Sequence, residues 1–224
     1  MEDKRIDSFG ALHYAVQEYG KKTILFRGVK DISYGLVPKV GRYEKFKNFT
    51  IEALEKEERT MLRLFKERAW STLPNVKSSE WEFLALAQHH GLPTRLLDWT
   101  RNPLVAAYFA VEKYHPDDSL IYAYHHRTFI NIERNPNPLK IKTISRFIPN
   151  HITPRITAQV GLFTVHPDPR RPLESDKIQR LIIPNSFRKE LKRILYNYGI
   201  HRASLFPDLD GLSKYISWLR TDEY

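Results

Sequence analysis

The residues best suited to chemistry are crowded between Gln88 and Ala110, in the stretch QHHGLPTRLLDWTRNPLVAAYFA. Adjacent histidines, arginine, aspartate, tryptophan, threonine and asparagine sit there between two apolar segments. A bare connection needs only about two to six small polar residues. A dense polar and aromatic set held between rigid elements is how binding and catalytic sites are built. His89 and His90 close a helix, where the backbone dipole favours their protonated forms, and either could exchange a proton or donate to a phosphate or ribose oxygen. Neighbouring helical residues point about 100° apart, so one of the two is expected to face a given pocket, His89 ahead of His90. Chelation by the pair is excluded on the same ground. No third ligand stands at metal spacing, and no metal is expected.

Further candidates lie along the rest of the chain. Arg27 ends the apolar run Ile24-Leu25-Phe26. A planar guanidinium there suits two-pronged capture of a phosphate, or pairing with a carboxylate such as Asp98, and Gly28 lets a ligand approach the backbone. Arg95 and Asp98, three apart, are expected to pair or to bond backbone, fixing the loop that presents Trp99 and Thr100. Trp99 either stacks a nicotinamide or adenine ring or anchors the core. Thr100 offers a hydroxyl to a ribose or phosphate, and Asn102 reads as a helix cap. Gln159 lies in the charge-free stretch from Ile156 to Val165, where its amide needs partners from a ligand or from backbone; His166 is a weaker candidate. Asp208 and Asp210 read as an Asx turn opening the last helix. A metal-dependent nuclease would need His89, His90, Asp98, Asp208 and Asp210 to converge.

The elements that must position these groups are legible. A helix over 8–19 is capped by Ser8 and stopped by Gly20, and Thr23–Arg27 is a short strand. A long helix runs from Ile51 to about Ala69 behind Thr50. Ser79 and Glu82 form a capping box for a helix ending at His90 with Gly91 beyond it. Asn102-Pro103 starts a helix that is apolar nearly all round and therefore buried. Strands are expected at 120–125, 160–165 and 178–183, with a mobile, proline-rich basic loop over 131–154. Helices follow at about 186–198 and 211–219. Helices first and strands later predict an α+β domain, with the helical N-terminal half packed on a small mixed or antiparallel sheet formed largely by the C-terminal half. With no repeat or linker, residues 1–224 read as a single domain.

Composition narrows the class. Hydrophobic residues make up 42% of the chain, enough for a core, and there is no cysteine for disulfide, thiolate metal site or nucleophile. No apolar run approaches the roughly 20 residues needed to cross a bilayer, and the N-terminus MEDKRIDSFG lacks the layout of a signal peptide. A cytoplasmic location is expected. The net charge is +10, and between His125 and Arg202 fifteen Lys and Arg stand against five Asp and Glu, which accounts for the whole excess. Such a segment fits a nucleic acid or another polyanion, or a merely solvated face.

The triplet Phe26-Arg27-Gly28, the block from Gln88 to Thr100, the run Ala158-Gln159-Val160-Gly161-Leu162-Phe163-Thr164 and the closing Leu205-Phe206-Pro207-Asp208-Leu209-Asp210-Gly211 together resemble the FRG-domain family, from about residue 20 to 218. A looser resemblance is to the ADP-ribosyltransferase fold. There an early strand ends in arginine or histidine, a Ser/Thr-bearing strand leads into a helix, and a late strand carries Glu or Gln. Arg27, then Trp99-Thr100 with Val105–Ala110, then Gln159 echo that order, with glutamine where the transferases commonly have glutamate. The resemblance implies NAD as substrate. Arg27, His89, Thr100 and Gln159 would be catalytic, and Arg27, Gly28, His90, Arg95, Trp99 and Thr100 would hold the dinucleotide. It implies an ADP-ribosyltransferase or NAD glycohydrolase, in the setting of a bacterial toxin or phage-defence effector with a nucleic-acid target and a neutralising partner protein. The competing expectation is a nucleotide- or nucleic-acid-binding module without catalysis.

Overall fold

The chain is described by a computed structural model that covers residues 3–69, 79–150, 154–221 and 224. Its strands are β1 (Lys4–Arg5), β2 (Leu25–Val29), β3 (Leu96–Thr100), β4 (Ser119–Tyr124), β5 (Ser145–Phe147), β6 (Gly161–Val165) and β7 (Ile178–Ile183). They form one seven-stranded sheet in the order β1-β7-β4-β2-β3-β6-β5. β1 runs parallel to β7 and the other pairings are antiparallel, so the sheet is mixed. The helices are α1 (Phe9–Gln17), α2 (Ile51–Ala69), α3 (Glu80–His89), α4 (Pro103–Val111), α5 (Pro154–Ala158), α6 (Asn185–Asn197), α7 (Arg202–Leu205) and α8 (Leu209–Thr221). The class is α+β, with a sheet that also draws β1, β2 and β3 from the first half.

Local chemistry explains the boundaries. Ser8 Oγ accepts from Ala11 N, Thr50 Oγ1 from Ala53 N, Ser79 Oγ from Glu82 N and Asn102 Oδ1 from Leu104 N, each satisfying an orphaned donor of a first turn. Gly20, Gly91 and Gly199 take φ of +55°, +89° and +76°, the left-handed conformation that ends a helix. α4 is buried on nearly every side, as its composition requires. Gly28 is a glycine because α4 lies directly on β2: a Cβ there would stand 1.8 Å from the Ala106 carbonyl oxygen.

One face of the sheet carries two apolar clusters. In the first, Phe26, Ile121, Ala123, Leu181 and Ile183 pack against α1, α4 and α6. In the second, Leu96, Phe163 and Val165 pack against α3 and the end of α2. The other face, with Leu25, Leu97, Trp99, Leu120 and Leu162, is covered by the connections that bring in Leu36 and Leu173. The loop expected to be mobile over 131–154 is pinned where it is described. Pro138–Lys140 forms a 3₁₀ turn capped by Asn137, β5 edges the sheet, and Leu139, Ile141 and Phe147 are buried. Its apolar residues are too sparse to give a period, so only tertiary packing reveals the strand.

β2 and β3 do not run together along their lengths. β2 pairs with β4 from Leu25 to Val29, but with β3 only at Phe26 opposite Thr100. Beyond that point the two strands part.

Candidate functional site

Arg27, His89, Thr100 and Gln159, widely separated in the chain, border one cavity of about 650 Å³. It opens where β2 and β3 part and draws on both faces of the sheet, with Phe26 and Phe163 from the helical side and Trp99 and Leu162 from the other. β2 contributes Phe26 and Arg27, β3 Asp98 and Thr100, β6 Gly161 and Phe163. The end of α3 adds Gln88 to Gly91, α4 adds Phe109, and α5 with its exit adds Arg155 and Gln159. The volume falls within the roughly 300–1,000 Å³ of small-molecule sites.

Arg27 Nη1 donates to the Asp98 carbonyl oxygen at 2.8 Å and lies 3.5 Å from Asp98 Oδ2. It thereby satisfies a carbonyl left unpaired by the parting strands, and pairs with Asp98 as one sequence reading expected. Its other guanidinium N–H groups have no protein acceptor among the described residues. Asp98 Oδ2 also accepts from Gln88 Nε2 at 3.0 Å, and Gln88 Oε1 accepts from Thr94 Oγ1 at 2.7 Å. That relay fixes the one carboxylate on the cavity wall, yet leaves its side chain 56% exposed. Lys39 lines the cavity with Nζ donating to the Gly91 carbonyl at 2.7 Å. Arg155 stands with its guanidinium carbon 4.2 Å from the Phe206 ring centre. Burial, then the neighbouring Arg202, lower the Arg155 pKa. An anion would relieve both costs.

His89 departs from expectation. Burial first, then Arg155 and His90, bring its pKa down to about 4. It is therefore neutral near pH 7, burial and then the cationic neighbours outweighing the helix dipole. His90 also borders the cavity: as the C-cap residue, at φ −86° and ψ 11°, it has left helical geometry, so the angular argument against both rings fails. The rings meet edge to face at 5.0 Å.

Other expected ligand contacts are corrected by the geometry. Trp99 also lines the cavity, but its indole is packed into the apolar cluster on the other face of the sheet, with Nε1 donating to Thr164 Oγ1 at 2.9 Å, as the core-anchor reading expected. Arg95 is 0% exposed and outside the cavity. It pairs with Glu58 rather than Asp98, through Nε–Oε1 at 3.1 Å and Nη2–Oε2 at 2.5 Å, and donates to the Leu139 carbonyl at 2.9 Å. Thr100 Oγ1 commits its proton to the Gln159 carbonyl at 2.7 Å and accepts from Asn102 N. Gln159 Nε2 donates to the Leu205 carbonyl at 3.0 Å, leaving Oε1 as the end open to a ligand. Gly28 reaches the cavity wall, but the close approach it permits is that of α4.

His166 is buried behind β3, where burial, then Arg27 and Arg95, lower its pKa to about 4. Thr164 Oγ1 accepts from Trp99 and has its own proton left for His166 Nε2, 2.9 Å away, so the neutral imidazole accepts there. Asp208 Oδ1 accepts from Gly211 N at 2.6 Å and caps α8, as the Asx-turn reading expected. Among the described residues, no three His, Asp or Glu side chains gather closely enough to hold a metal ion.

Sequence reasoning missed Lys39, Gln88, Arg155 and Phe109 as wall residues. Phe109 read as plain core in an apolar helix. Arg155 was one of fifteen cations in the basic segment, with nothing local to distinguish it. The assembled wall sets three cations against one carboxylate, with the rings of Phe26, Phe109 and Phe163 beside them. It suits an anion carrying a flat apolar group.

No curated protein and no solved structure matches the chain. A family model described as FRG domain matches residues 22–119. The matched span includes Arg27, Lys39, Gln88 to Gly91, Asp98 and Phe109, while Arg155, Gln159 and Phe163 lie beyond it but face the same cavity. The chain therefore carries an FRG domain over residues 22–119.

Proposed function

We propose that the cavity binds NAD or a related nucleotide, and that the protein is an NAD-cleaving enzyme of ADP-ribosyltransferase or glycohydrolase type. The observation that carries this reading is the placing of one held but exposed carboxylate, Asp98, among Arg27, Lys39, Arg155 and aromatic rings. The cations take up the pyrophosphate, and the half-buried Phe109 offers its ring to nicotinamide or adenine. The C1′–N bond breaks with its electron pair moving to the pyridinium nitrogen, so nicotinamide departs neutral and needs no general acid. Positive charge develops on the ribose as an oxocarbenium ion, which Asp98 and the Gln159 carbonyl dipole stabilise until water or a target nucleophile adds. Neutral His89 is able to accept a proton from that nucleophile.

In this reading the target is anionic, a nucleic acid held through the basic 125–202 segment, and the setting is that of a toxin or defence effector with a neutralising partner. Incubation with NAD and chromatography of the products tests it. Nicotinamide should appear, and Asp98→Asn should slow its release at least about 100-fold. One observation favours a non-catalytic nucleotide-binding module instead: the Thr100 proton and one hydrogen of the Gln159 side-chain amide are engaged within the fold. NAD that binds but is not cleaved would establish that second reading.

A further inference from the structure

A second cavity, of about 320 Å³, lies across α4 from the first: Tyr108 lines this one and Phe109 the other. It is roofed by α8, a helix of 13 residues in which only Gly211 is buried. Rings dominate its walls. Tyr196 meets the Trp218 ring at 5.6 Å, edge on, and Tyr215 stacks on His201 at 4.3 Å. Lys192 Nζ lies 5.2 Å and 4.8 Å from the ring centres of Trp218 and Tyr224 while donating to the Glu112 carbonyl. The cavity's carboxylate, Glu112, is already paired with Arg202. Lys113, just past the end of α4, and Lys214 of α8, both exposed, stand at the rim, with no carboxylate partner among the described residues.

We infer that this aromatic basin seats a nucleobase whose phosphate is held by Lys113 and Lys214. The cations exclude a cationic guest, and an apolar guest would leave the rim lysines unanswered. A flat ring attached to an anion answers both, since stacking on aromatic side chains and backbone neutralisation are the two components of single-strand recognition. The site does not depend on whether the first cavity cleaves NAD. Tyr196 comes from α6 and Tyr215 and Trp218 from α8, and the two rings of α8 lie outside the basic 125–202 segment.

Trp218 is its own reporter, because Trp81 and Trp99 are buried. In a Trp70→Phe background, single-stranded oligo(dT) of about eight nucleotides should quench the fluorescence at low salt, and thymidine monophosphate should do so more weakly. Tyr215→Ala should weaken oligonucleotide binding, followed by anisotropy of a labelled strand, about tenfold or more. Lys113→Gln with Lys214→Gln keeps the rings and should lower the salt slope of binding by about two. Arg27→Ala should change none of this, which separates the basin from the first cavity. The inference is overturned if neither oligo(dT) nor the monophosphate quenches, if polyglutamate quenches equally well, or if both the Tyr215 and the double lysine variants bind like the parent.

Discussion

Two arginines show how residue-scale surroundings separate structure from function. Arg95 is wholly buried and held to Glu58 by two hydrogen bonds, so Glu58→Gln strands a buried charge; chemical denaturation should show a loss of about 3–5 kcal/mol. Arg27 pairs with a half-exposed Asp98, an arrangement worth about 0–1 kcal/mol, so Arg27→Ala should leave the denaturation midpoint nearly unchanged while removing nucleotide binding. The histidines supply a pH dependence. The folded chain keeps His89 and His166 neutral down to about pH 4, whereas the unfolded chain takes up those protons near 6.5. Stability is thus complete above about pH 6.5 and falls as pH drops toward 4, by about 3 kcal/mol for the buried His166. Denaturation curves at several pH values should follow that direction, and His166→Gln should flatten the slope within this window.

At the scale of elements, the parting of β2 from β3 makes the cavity, and α4 holds β2 in place. Gly28→Ala should therefore push α4 off the strand, since the added Cβ meets the Ala106 carbonyl and the Ala110 nitrogen. A drop in melting temperature together with loss of nucleotide binding would check this. Caps and glycine stops made α1, α3, α4 and α6 readable, because one polar side chain or one left-handed residue decides each end. β1 and β5, of two and three residues, carry no period to read, and their pairing is decided by β7 and β6. The convergence of Arg27, His89, Thr100 and Gln159 followed from a motif order, but their roles did not. Whether a hydroxyl, an indole or a guanidinium faces a ligand depends on sheet alternation and on partners such as Glu58 and Thr164, distant in the chain.

For the whole molecule, the charge excess of the 125–202 segment acquires structure. Arg155 belongs to the first cavity, Lys192 and Arg202 to the second, and the two cavities flank α4. A dinucleotide enclosed by the first should lose little affinity with added salt, whereas a polyanion spread over the second should lose it steeply. Calorimetric titration of NAD into the wild-type protein, Arg27→Ala and Arg155→Ala at pH 7.5 tests the first cavity most directly. One saturable site in the wild type, weakened at least about tenfold by either substitution with melting temperatures preserved, is the predicted result. No heat and no thermal shift at millimolar NAD, or equal binding by all three proteins, would contradict it.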